Sequence, residues 1–88
     1  MIWLDAHPVL ADAIGLFGSA LMVFAYAYSN IAGRVDFLLF NLLNFIGAIL
    51  LFLSLLVHFN LASMILEIVW AAIALFGLVK ALRDRKKA

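Results

Sequence analysis

The chain has 88 residues, of which 69% are apolar and 12% charged, with a net charge of +1 and no cysteine; soluble proteins run at roughly 45–50% and 25%. A water-soluble domain of this size buries only about 60% of the surface its unfolded chain exposes, so this composition would leave a large excess of Leu, Ile, Phe and Ala wet. An ordinary soluble domain is excluded, and the lack of cysteine also removes disulfides, thiolate zinc sites and a thiol nucleophile.

In chain order, the first eight residues carry Asp5 but no Lys or Arg, so they lack the basic start of a cleaved signal peptide, and the apolar stretch behind them is expected to be retained. That stretch, about 9–29, is the first of three. The second covers about 37–57 and the third about 61–82. Each is roughly 21 residues, or about 31 Å as helix, which just spans the hydrocarbon of a bilayer. Asn30, Gly33, Arg34 and Asp36 mark a wet turn between the first two,. The second turn is placed at His58, Phe59 and Asn60, with Asn60 capping the helix that follows. The apolar tracts do not alternate as barrel strands must. The predicted fold is all-α, a single transmembrane domain over 1–88 with three transmembrane helices and a basic tail at 83–88.

Orientation follows from the basic residues. Arg34 lies in the first turn, while Lys80, Arg83, Arg85, Lys86 and Lys87 close the chain. With three crossings all six fall on one side, so the positive-inside rule predicts the N-terminus outside and the C-terminus cytoplasmic, in a bacterial inner membrane. Trp3, Tyr26 and Tyr28 fit the aromatic belts at the two interfaces. The tail bases would meet lipid headgroups, at about 1 kcal/mol each. They form no base-reading surface, so no nucleic-acid partner is expected.

The polar residues inside the apolar stretches are few. Ser19, Asn41, Asn44, Ser54, Glu67 and Trp70 are the ones that call for a partner,. Glu67 lies about 6 Å to the outer side of the third midpoint, level with Leu51 and with Leu16. An acid at such a depth must carry a proton or meet a partner, because an uncompensated charge there is expensive. It is either an ion or proton site or a hydrogen-bonded packing group, with Ser19, a backbone carbonyl or a neighbouring subunit as partner; packing is the commoner fate of such groups. Asn41 and Asn44 line the polar side of the second helix, and Asn41 matches Tyr26 in depth, which predicts an amide–phenol hydrogen bond. Trp70 is too deep for an interfacial anchor and is expected to pack on the glycine-rich first helix or to wall a binding site. His58 reads as an exposed turn residue.

Small residues form two stripes. Gly15, Gly18 and Ser19 lie on one face of the first helix, and Ala71, Ala74, Gly77 and Ala81 share a face with Glu67 and Trp70 on the third; both stripes are predicted to face protein. Gly47 and Ala48 lie on the second helix. No Ser–His–Asp set, phosphate-binding glycine loop or carboxylate pair at one depth is present, so no enzyme and no cofactor is expected.

The run Asn44, Phe45, Ile46, Gly47, Ala48, followed by Ser54 and by Glu67 and Trp70, resembles a locus-tag-named family of small bacterial membrane proteins over nearly the whole chain. That resemblance implies a three-helix membrane domain. The layout, with Ile14 and Gly15 opening the first helix, also resembles the SemiSWEET sugar transporters, whose protomers pair to form a pore. The chain departs from that family's Pro–Gln hinge, since its only proline is Pro8 and it has no glutamine; Glu67 stands where the resemblance implies a sugar-binding Asn.

The function expected from these residues is that of a non-enzymatic, oligomerising integral membrane protein, a homo-oligomer or an accessory subunit of a larger membrane-protein complex. The alternative is a SemiSWEET-like dimeric small-solute or proton-coupled transporter, with Glu67, Asn44 and Trp70 lining the path.

Overall fold

The computed structural model describes residues 3–87. A short 3-10 turn, Trp3–Ala6, precedes three α-helices: α1 Pro8–Ile31, α2 Phe37–Val57 and α3 Leu61–Lys87. All three are long and apolar enough to cross a membrane.

Local chemistry sets their ends. Pro8 opens α1 at a position where its missing N–H costs nothing,. The helix runs two residues beyond the expected 29, through Asn30 and Ile31. Ser29 Oγ and Asn30 Nδ2 both donate to the Tyr26 carbonyl, at 2.7 and 3.0 Å, a back-bonding compatible with helix,. Asp36 caps α2, its Oδ1 accepting from the amides of Leu38 at 3.0 Å and Leu39 at 3.3 Å,. Asn60 does the same for α3, accepting from the Ser63 amide at 3.0 Å. At the other end α3 does not stop near 82. Arg83, Asp84, Arg85 and Lys86 are tolerated in a helix and no Gly or Pro follows Gly77, so the residues expected as a separate tail continue the helix through Lys87,.

The three helices pack in sequence order with α2 in the middle. It touches α1 along much of its length and α3 on its other side, while α1 and α3 scarcely meet. The inside is built from small residues: Ala11, Gly15, Gly18 and Ala25 of α1, Gly47, Ala48 and Ser54 of α2, and Ala74 of α3 are buried. Large apolar side chains point the other way, Phe17, Phe24, Ile73 and Phe76 among them. A water-soluble bundle sorts its side chains in the opposite sense.

The α1–α2 seam closes to backbone contact. A Cβ on Gly18 would lie 2.6 Å from the Gly47 carbonyl oxygen, and one on Gly47 would lie 2.6 Å from that of Gly18. No side chain fits between them. One turn away, a Cβ on Gly15 would meet Ser54 Oγ at 2.5 Å. The small stripe of α1 therefore faces α2. On the opposite side Gly77 of α3 receives the Asn41 amide, so close that a Cβ there would overlap it.

Candidate functional site

Glu67 projects from the first half of α3 toward α2 and is 3% exposed. It lies between two clefts of about 220 Å³ each. The first is a groove between α1 and α3 floored by α2, lined by Met22, Leu51, Ser63, Leu66, Glu67 and Trp70. The second opens on the other flank and is lined by Ala48, Ile49, Phe52, Ile68 and Ala71 with Glu67. Both walls are apolar. Among the described residues, Glu67 Oε1 is the buried side-chain oxygen without a hydrogen-bond partner.

Next to it, Trp70 stands one turn further along α3. Its Nε1–H donates to Asn44 Oδ1 at 3.1 Å, across the α2–α3 interface. Asn44 is 4% exposed and its own Nδ2 donates to the Phe40 carbonyl at 3.0 Å. The amide thus holds its orientation from its own helix and fixes the indole plane. Asn44 and Trp70 also line a small pocket with Asn41, Phe40, Ile73 and Ala74, so the polar side chains follow the α2–α3 seam while Glu67 opens onto the groove beside it.

Three expectations about partners are corrected by this arrangement. Asn41 does not bond Tyr26. Its Nδ2 donates to the Phe37 carbonyl at 2.8 Å and its amide sits against Gly77, because that face of α2 looks at α3, while the Tyr26 side chain is exposed on α1. Trp70 packs on α2 through Asn44 rather than on the glycine-rich α1. Ser19 is half-buried on α1 and lines neither cleft beside Glu67. Depth along the helix axes matched these residues, but depth does not say which helix lies in the middle.

Two polar clasps tie the ends of the bundle. At one end Arg85 Nη2 bridges both oxygens of Asp36, at 3.0 and 2.9 Å, and the Asp36 amide donates to Tyr28 Oη at 2.8 Å. At the other, His58 Nε2 lies 3.1 Å from Asp12 Oδ1 and 3.2 Å from the Pro8 carbonyl oxygen. His58 is exposed, as read from the sequence. The sequence placed these groups at common ends without pairing them; the antiparallel helix order carries that signal, since it brings the start of α2 beside the end of α3. The remaining bases of α3, Lys80, Arg83 and Lys86, are exposed, and the Lys87 side chain lies outside the described residues. No group of three or more His, Cys, Asp or Glu side chains gathers among the described residues.

A family model of small bacterial proteins of uncharacterised activity matches residues 11–86. The chain belongs to that family. The matched stretch takes in all three helices and both clefts, including Asn44, Glu67 and Trp70. No curated protein and no solved structure matches the chain. Ser63 and Leu66 are the groove residues that the sequence does not single out, while Met22 falls on the small-residue face of the first helix. Leu66 carries no polar anomaly that would set it apart from its outward-facing neighbours; the hydroxyl of Ser63 is the signal that could have found the groove, and the packing order shows where it leads.

Proposed function

We propose that this protein is a non-enzymatic integral membrane protein that crosses the bilayer three times and works as an assembly of identical protomers. The Glu67 carboxyl carries the proposal. Its Oε1 is buried without a partner, on a groove that three helices leave open on one side. In hydrocarbon an unsatisfied polar group costs several kcal/mol, which favours a protein cover over lipid along the groove that Glu67 lines,. A second copy laid over α1 and α3 supplies that cover.

The bilayer setting is supported by the inverted sorting of side chains and by the placement of charge. Arg34, Lys80, Arg83, Arg85 and Lys86 gather at the end where the α1–α2 turn meets the end of α3, whereas the far end carries Asp5, Asp12 and His58 and no Lys or Arg among the described residues. The positive-inside rule then gives an external N-terminus and a C-terminus in the bacterial cytoplasm. The small stripes of α1 and α3 pack on α2 within the protomer, so the contact between copies is assigned to the Glu67 groove and not to those stripes.

A second reading, a dimeric small-solute or proton-coupled carrier, is favoured by one observation: the indole of Trp70 is locked by Asn44 beside the free carboxyl. Packing alone does not require a fixed aromatic wall next to an acid.

Cross-linking in native membranes tests the assembly. Leu66 is 63% exposed at the groove rim, and Leu66→Cys is expected to form a disulfide-linked dimer between copies on oxidation. An affinity-tagged chain should come away as a homo-oligomer. Recovery only with a stoichiometric larger partner would replace this proposal with an accessory-subunit role, and recovery only as a monomer would end it.

A further inference from the structure

We infer that the Glu67 groove binds a small organic cation with apolar substituents, an ammonium bearing short alkyl or aryl groups, in exchange for the carboxyl proton. The inference rests on the carrier reading for its setting and adds the chemistry of the occupant.

The lining excludes the other classes. Met22, Leu51 and Leu66 supply apolar walls, and the polar side chains among the lining are those of Glu67 and Ser63, with the Trp70 indole N–H already engaged by Asn44. A sugar presents several hydroxyls, each needing a partner, and this groove would leave most of them unsatisfied. A hydrated divalent cation needs about six oxygen ligands. An anion would face the carboxyl. An ammonium with apolar arms needs one counter-charge, an apolar bed and, best, an aromatic ring; the Trp70 side chain lines the groove, and cations are drawn to such rings by their quadrupole. The volume of about 220 Å³ is on the scale of such a molecule rather than of a peptide.

Charge balance sets the exchange. With the groove empty of cation, the carboxyl keeps its proton, because a lone charge in apolar surroundings is costly. As the cation enters, the carboxyl O–H bond breaks, the proton passes to water at the end of the groove beside Ser63, near the start of α3, and the carboxylate pairs with the ammonium. The groove is neutral before and after. Among the described residues no other titratable group lines either cleft: α1 contributes Met22, and α2 contributes Ala48, Ile49, Leu51 and Phe52.

The test uses the full chain in lipid nanodiscs with Trp3→Phe, leaving Trp70 as the fluorescent reporter, and benzyltrimethylammonium as the probe. Saturable quenching of Trp70 is expected, with about one proton released per cation and affinity rising as pH rises. Glu67→Gln should weaken binding about tenfold or more, Glu67→Asp should retain pH-dependent binding, and glucose should leave the fluorescence unchanged. Binding that ignores pH, or that survives Glu67→Gln undiminished, overturns the inference. Cross-linking of the same nanodiscs separates it from the assembly proposal. A wild-type oligomer that takes no cation sinks this inference alone, whereas a monomer that binds the cation upholds it and sinks the assembly.

Discussion

The Asp36 carboxyl ties the start of α2 to the end of α3, accepting from the Leu38 and Leu39 amides of α2 and from Arg85 of α3. The Leu39 amide does most to hold this carboxyl below its ordinary value of 3.8; partial desolvation opposes it, and the Arg85 guanidinium and the Leu38 amide add to the lowering. A folded value below the unfolded one gives stability that is fully present above about pH 3.8 and is lost as pH falls through the lowered value. The clasp is therefore expected to stay closed at neutral pH and to open only in strong acid. Carboxyl NMR of the protein in micelles should find Asp36 titrating below 3.8, and Arg85→Gln should move it upward without erasing the shift, since the Leu39 amide remains. A titration at or above 3.8 in the unaltered protein would show that the clasp does not form. Single residues were the part of the site most open to reading in advance. Asn44, Glu67 and Trp70 stand out because polar groups are rare inside apolar runs. Their bonding partners did not stand out: Asn41 was matched to Tyr26 by depth, yet it faces α3, and the side of a helix that looks at a neighbour depends on packing order, which no local pattern encodes.

Along the elements, the closest approach lies between α1 and α2, where Gly18 and Gly47 present bare backbone to each other. Gly18→Ala would place a methyl group against a carbonyl oxygen that cannot give way, so the helices must separate, at about 1–3 kcal/mol by analogy with overpacked cores. Gly33 offers the contrast, since a Cβ there meets nothing within 4 Å and its backbone lies in ordinary space; Gly33→Ala should stay within about 0.5 kcal/mol of the parent. Circular dichroism during unfolding in mixed micelles compares the two, and equal stability of both variants would mean that the Gly18–Gly47 seam is looser than described. The small-residue spacing announced close packing of α1, and Gly15 and Gly18 lie buried against α2. It did not announce that α2 would be the partner of both small stripes. Nor did composition alone carry α3 through residues 83–87, where charged residues reach beyond the apolar span yet remain good helix formers.

For the whole molecule, the proposed orientation in the bilayer rests on charge asymmetry and side-chain sorting. Cysteines placed at Trp3 and Ala88 test it: a membrane-impermeant reagent applied to intact cells should label the first, and the second only after permeabilisation. Labelling of residue 88 from outside would reverse the orientation. The number of helices was legible because three runs of bilayer length leave little choice, and the turn at His58, Phe59 and Asn60 because Asn60 can end one helix and cap another. Their lateral order was not, since outward-facing and inward-facing positions are both apolar here. That order has one mechanical consequence. The Asp36–Arg85 and Asp12–His58 pairs fasten opposite ends of the bundle, while α1 and α3 have almost nothing between them at half height. The protomer is therefore stitched at both hems and unlaced at the waist, where the gap beside Glu67 lies between α1 and α3.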